Sequence, residues 1–262
     1  MMSRRYPVIA CLLLTLFFIL WTVPATWAVK LFLGSEVGNG LGNRIGNREL
    51  LSVEDVRGTL WSGVAGKVTV QWQGETYSFG EVTWKLRPQS LLLLQSCIEF
   101  DSQLKQQLMN GIVCRHLDGD WSLVASRFHG PAALAQLWLP IQVRGNMTLQ
   151  IDNLRLDQGR IINLNAQADW QDATYHNSQS WLALGALAAN VSSDSQGTIV
   201  ADIFDVGGPV KVDLSIQSAY QQPTYLSGSI QLLPEAPESL AQLLQVLGFK
   251  QQGGRFDIQW TL

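Results

Sequence analysis

From Tyr6 to Val29 the chain runs 24 residues without a charged side chain, YPVIACLLLTLFFILWTVPATWAV, between Arg4-Arg5 and Lys30. A helix needs roughly 20 predominantly apolar residues to cross the hydrocarbon core of a bilayer. The run therefore predicts a membrane-spanning helix over residues 8–29. A soluble core helix of this length would carry a polar face, and this one has none. A cleavable export signal competes with that reading. However, Ala25-Thr26-Trp27-Ala28 is a poor small-x-small site, and the run exceeds the about 7–15 apolar residues of a usual signal. Between Val8 and Val23 only Thr15 and Thr22 are polar, and a threonine can hydrogen-bond its own helix backbone. Trp21 and Trp27 lie toward the C-terminal end, where indole rings favour the membrane–water interface. Pro24 is expected to end or kink the helix there. Two arginines precede the run and Lys30 stands alone after it until Glu36. That asymmetry places residues 1–7 in the cytoplasm and everything beyond the anchor outside it.

The anchor explains part of a charge deficit. Only 15% of the 262 residues are charged, against about 25% in a typical soluble domain. A net charge of −3 and a pI near 5.6 exclude a basic-patch nucleic-acid binder. The three cysteines fit export. Cys11 lies in the apolar run and reads as a small hydrophobe. Cys97 and Cys114 are the only pair beyond it and form a candidate disulfide. Bridging them would close a loop of 16 intervening residues, worth about 3 kcal/mol in the loop-entropy account. Two unrelated buried thiols are the alternative.

Residues 30–49 read as a spacer, because glycines and asparagines crowd the stretch GSEVGNGLGNRIGNR, a poor helix and a poor strand. A phosphate-cradling loop fails there: Asn43 stands where a third glycine is needed, and no apolar strand precedes it. Residues 50–262 then form one exported β-rich domain. Val68, Val70 and Trp72 alternate with polar neighbours. So do Val82, Trp84 and Leu86, after a phase shift at Gly80 that has the form of a β-bulge. The alternation continues at Val143, Met147, Leu149 and Ile151, and at Ile162, Leu164, Ala166, Ala168 and Trp170. It returns at Val210–Ile216, Leu226–Leu232 and Phe256–Leu262. Such strands predict an antiparallel meander with one wet face, written mostly in Gln and Asn. Two short helices are expected, over Pro131–Leu139 and Pro237–Leu247. In the second, Leu240, Leu243, Leu244 and Leu247 recur at helical spacing behind Pro237 and before Gly248. The fold class is thus mainly β: one N-terminal transmembrane helix, then a curved, open, groove-like antiparallel sheet with two short helices.

Nothing in the chain assembles a catalytic or metal site. His116, His129 and His176 stand in different segments, each without a second histidine at ligand spacing. Ser102-Gln-Leu-Lys105 matches a serine–lysine spacing, but no companion motif accompanies it. Asp118 and Asp120 flank Gly119 in what reads as a hairpin turn, short of the oxygen ligands a calcium loop requires. Asp152 and Asp157 suggest no acid–base pair. The tryptophans, in phase with apolar neighbours, read as core or as the lining of an apolar groove. No cofactor is expected, and the chain reads as a non-enzyme.

One stretch is distinctive. Val56-Arg57-Gly58-Thr59-Leu60-Trp61-Ser62-Gly63-Val64-Ala65, following an N-terminal anchor, resembles protein N of the bacterial type II secretion system. Val82–Pro88 leading into Leu91-Leu92-Leu93, Gly145–Leu149 after Pro140, and Phe204–Val210 with its Asp-x-Gly-Gly-Pro turn are similar to that family in order. The resemblance implies an inner-membrane protein with a periplasmic domain, without enzymatic activity, associated with the machine that exports folded proteins across the outer membrane. Its partners would be other secretion subunits and the inner membrane. The family is also similar to AsmA-like and LptC-like β-groove envelope proteins, which implies lipid in a groove as the rival reading. Gly58, Thr59, Leu60, Trp61, Ser62 and Gly63 read as structural. The small residues let the chain turn, and Trp61 folds onto the sheet.

Overall fold

The computed structural model describes scattered positions between residues 11 and 27, and residues 41–261 apart from 45–49, 73–74, 138–140, 159, 178–179, 195 and 247–248. The chain divides into two compact units, Met1–Lys105 and Gln106–Leu262.

In the first unit, β1 (Leu41–Arg44), β2 (Leu50–Gly58), β3 (Ser62–Trp72), β4 (Glu75–Leu86) and β5 (Gln95–Leu104) pair antiparallel in chain order. β1 lies within the stretch expected to act as a spacer. The bulge expected at Gly80 is present: the β3–β4 register shifts around Val68, which faces Gly80 at φ +71°. Between β4 and β5 the one-turn helix α1 (Pro88–Leu91) starts on a proline, a residue suited to the first helical turn. Sequence periodicity misses it because it is too short to show one.

Ten of the 22 positions of the expected transmembrane segment, residues 8–29, lie outside the described residues. Its described positions include helical Cys11, Leu14, Phe18, Ile19, Trp21 and Trp27, and Leu14, Phe18 and Ile19 are well exposed. Thr15 and Thr22 donate their hydroxyls to the carbonyls of Cys11 (2.8 Å) and Phe18 (2.9 Å), so neither adds an unsatisfied donor to the apolar surface. Among the described residues no helix is long and apolar enough to cross a membrane.

In the second unit the strands are β6 (Gln107–His116), β7 (Trp121–Pro131), β8 (Val143–Asp157), β9 (Arg160–His176), β10 (Trp181–Ser193), β11 (Ile199–Gly207), β12 (Val210–Ser218), β13 (Tyr225–Leu232), β14 (Lys250–Gln252) and β15 (Arg255–Thr261). They follow one another in an antiparallel meander until β13, which pairs with β15, leaving the short β14 outermost. Among the described residues no ladder joins β6 to β14, so this sheet is open.

Alternation is clearest on β9, where Asn163, Asn165, Gln167, Asp169 and Gln171 are exposed while Ala166 is buried. Ile162 departs from the expected phase and is 42% exposed. The β8–β9 register shifts between Arg155 and Leu156, opposite it, and turns it outward. Beyond the second shift, at Gly185, the buried position moves to Ala173. One extra residue flips every later side chain to the other face.

The helix expected over Pro131–Leu139 is not an α-helix. β7 continues through Pro131, and Ala132–Leu137 is a 3₁₀ helix, with the remaining positions outside the described residues. A strand that runs through the proline leaves only a short connection to β8, and 3₁₀ turns suit such short pieces. The second expected helix is present as α2 (Glu238–Val246). Leu240 and Leu244, one turn apart, are each 5% exposed. Leu240 joins Leu182, Val210 and Val212 in the core of this unit.

Candidate functional site

An apolar concavity lies in the second unit, where α2 sits over the strands from β8 to β13. A cavity of about 400 Å³ opens between them, and its accessible lining is wholly apolar. Met147 and Trp170 bound it on β8 and β9, Leu184 and Leu187 on β10, Ile203 on β11, and Leu240 and Leu244 close it from α2. The volume falls within the roughly 300–1,000 Å³ of small-molecule sites. A lining without polar groups stays dry when empty and accepts apolar guests. Asp169 borders the space but offers no polar surface to it. Chemically the site can hold an aliphatic group; it has nothing with which to activate one.

β10 supplies the centre of this lining, and the sequence pattern obscured it. Leu182 and Leu184 are in one phase, Leu187 in the other, because Gly185 at φ +93° carries a bulge between them. The readable signal is the same as at Gly80: a glycine between two apolar runs of opposite phase.

The tryptophans divide. Trp170 lines the cavity, and its indole N–H donates to the Arg144 carbonyl at 2.9 Å. Trp121, Trp181 and Trp260 are not core residues, being 43%, 36% and 50% exposed. Arginines cover two of them instead: Arg144 lies 3.7 Å from the Trp181 ring centroid and Arg115 lies 5.4 Å from that of Trp121, positions in which a guanidinium is held by the ring face.

The motif residues Gly58–Gly63 form the β2–β3 turn. The Thr59 N–H donates to the Ser62 carbonyl at 2.8 Å. Gly58 has φ +97°, and a Cβ there would stand 2.5 Å from the Ser62 oxygen; one on Gly63 would enter the Trp84 ring. Both positions therefore require glycine. Leu60 and Trp61 reach back to the N-terminal segment. The Leu60 N–H donates to the Val23 carbonyl at 2.9 Å, and the Trp61 ring stacks on Trp21 with centroids 5.6 Å apart.

Cys97 on β5 and Cys114 on β6 are each 6% exposed. The other candidate groups have local partners. His116 Nε2 is 3.1 Å from Ser122 Oγ and His129 Nδ1 is 3.0 Å from Thr148 Oγ1, while His176 lies against the Trp181 ring. Ser102 is buried on β5 and donates to the Phe79 carbonyl at 2.6 Å. Lys105 follows in a turn at φ +50°. A strand and a turn do not give the one-helical-turn geometry that the serine–lysine spacing would need.

Asp118 and Asp120 flank a hairpin turn, as expected, and converge on Arg155 of β8, at 3.5 and 2.8 Å. The 10% exposed Asp120 side chain takes two guanidinium hydrogen bonds. Asp152 accepts from Gln150, and Asp157 pairs with Arg160. Asp205, in the Asp-x-Gly-Gly-Pro turn, accepts the Val212 N–H at 2.9 Å and clips β11 to β12. Asp194, in the β10–β11 turn, is held below the usual carboxylate range by the N–H groups of Thr198 and Gln196, which hydrogen-bond its charged form. Among the described residues no group of three or more metal-binding side chains gathers.

Comparison with curated proteins and with solved structures finds no match. A family model described as type II secretion system (T2SS), protein N, matches residues 49–259. The match spans both units, and it contains the glycine-framed turn at 58–63 and the aspartate-clipped turn at 205–210. With most of its length matched, the chain belongs to the type II secretion system protein N family.

Proposed function

We propose that the chain is a non-catalytic accessory component of the type II secretion system, anchored in the inner membrane by residues 8–29, with residues 50–262 in the periplasm. The family match over residues 49–259 carries this reading. The uncharged run Tyr6–Val29 and the arginines before it support the location and orientation. Its contacts with other secretion subunits would run through strand edges and the neutral polar face, as β-sheets commonly engage partners. The test is deletion of the gene in a strain with an active type II system. Folded substrates should accumulate in the periplasm, and restoration should require the anchored form. Undiminished export in the deletion strain would overturn the reading. Alkaline extraction checks the anchor: the protein should stay with the membrane at its full mass. A mass lacking residues 1–28 would mean that the segment is a cleaved signal.

A second reading is favoured by the apolar cavity under α2: a lipid- or hydrophobe-binding module of the envelope. Lipid retained in stoichiometric amount through purification, and detected by native mass spectrometry, would support it. The two readings are compatible, since a secretion component can carry a lipid.

A further inference from the structure

In the first unit consecutive strands run antiparallel, so the β2–β3 turn and the β4–β5 connection lie at the same end of the sheet. Ser62 faces Lys85, and the Leu86 N–H donates to the Trp61 carbonyl at 2.7 Å. The N-terminal apolar segment reaches that end too. Val23 accepts from Leu60, Pro24 bridges to Thr59, and Trp21 stacks on Trp61 with 28° between ring planes. Ala25, beside this junction, is 1% exposed, whereas Trp27 is 72% exposed.

From the same end project four consecutive leucines. Leu91, Leu92, Leu93 and Leu94 are 41%, 86%, 71% and 65% exposed. A contiguous apolar patch of this kind is unfavourable in water and marks a contact surface. The tip is well held. The N–H groups of Leu92, Leu93 and Leu94 donate to Gln89, Ser90 and Leu91 in successive tight turns. Buried Ser90 accepts the Cys97 N–H at 3.1 Å and so fastens the tip to β5. Pairing these three donors lowers the cost of taking the segment out of water. Leu94 sits at φ +58°, a conformation that glycine or asparagine would adopt more cheaply, yet a fourth leucine occupies it. Lys85 and Arg87 precede the leucines on the chain. Arg87 pairs with Glu99 at 3.1 Å, and such basic stems suit the headgroup zone.

We propose that Leu91–Leu94 insert into the bilayer leaflet beside the anchor, so that this end of the sheet is seated on the membrane. The occupant of the patch is the lipid surface, because the patch shares its end of the sheet with the C-terminal part of the apolar segment. The inference rests on the anchored reading above, and its test separates the two.

The full-length chain, in vesicles of phosphatidylethanolamine and phosphatidylglycerol, carries a photo-crosslinking benzoylphenylalanine in place of Leu93, Phe18 or Gln71. Phe18 reports the anchor. Gln71 is exposed near the opposite end of β3. Variants are compared only if their unfolding midpoints equal that of the parent. Lipid adducts at Leu93 should exceed those at Gln71 by about tenfold or more, the scale set by transferring one leucine side chain out of water. Adducts at Phe18 with Leu93 at the level of Gln71 would overturn the inference and leave the anchor standing. Capture of protein in place of lipid at Leu93 would overturn it as well. Adducts at Leu93 without any at Phe18 would remove the anchor and with it the placement of the leucines beside it, and none at either would remove both.

Discussion

At the residue scale, glycine positions carry the sharpest expectations. Gly63 lies against Trp84 with no room for a Cβ, whereas Gly207 has open space around it and an ordinary φ. Gly63→Ala should lower the stability of the domain by about 1–3 kcal/mol, as overpacking does, and Gly207→Ala should be nearly neutral; urea unfolding of both variants checks this. Trp61→Ala removes the stack on Trp21 and should cost about 0.5–1.5 kcal/mol beyond the lost apolar area, with reduced yield and faster proteolysis. If export failed while the variant kept its full stability, Trp61 would be a docking residue and its structural reading would be wrong. Cys97 and Cys114 are proposed to pair. Under denaturing, non-reducing conditions only Cys11 should take a thiol label, and replacing both partners by alanine should cost about 3 kcal/mol. Two further labelled cysteines would dispose of the bridge. The residue types at these positions were readable in advance, because glycines framing a tryptophan already imply a tight turn. That the second glycine meets Trp84 was not readable, since Trp84 is more than twenty residues away along the chain.

At the scale of elements, α2 and β10 decide how the cavity is built. Leu240 is 5% exposed under the helix, and Leu240→Ala should destabilise the second unit by about 2–5 kcal/mol. Val246, on the same helix but 84% exposed, should tolerate serine with little effect; thermal unfolding distinguishes the two. A larger side chain at Ala168, which lines the cavity, should reduce any co-purifying lipid without lowering the melting temperature. Persistent stoichiometric lipid in Ala168→Phe would place the lipid elsewhere. The helix of α2 was legible because four leucines repeat at 3.6-residue spacing over a stretch long enough to show a period. The 3₁₀ helix at Ala132–Leu137 was not, because a proline followed by alanines and leucines suits either a helix start or a strand end. Only the pairing of Pro131 with Asn146 resolves it. β10 was obscured for a related reason: a bulge breaks the period of two, and the apolar run then matches neither template.

At the scale of the whole molecule, family membership sets the expectation. Loss of the protein should leave folded substrates in the periplasm, and crosslinking in cells should join it to other secretion subunits. The proposed insertion of Leu91–Leu94 would add a membrane contact to that picture, one that periodicity could not supply. In sequence the four leucines that follow Pro88 show no period that assigns them to a face. In the structure they are the tip of a connection, and their exposure follows from where the strands before and after them end.

The local features are written in the order of the residues. An uncharged run of 24 residues demands an apolar environment, and alternation demands a half-buried sheet. A glycine between runs of opposite phase demands a bulge, and a motif of small residues around one tryptophan demands a turn. Each of these is set by neighbours along the chain. The tertiary structure decided what meets across long separations: Trp21 with Trp61, Gly63 with Trp84, and α2 with the face of β10 and β12. It also decided which apolar residues were left outside. The physical reason is that burial depends on the three-dimensional packing of strands, and a one-residue shift in register exchanges the two faces while leaving the sequence pattern unchanged.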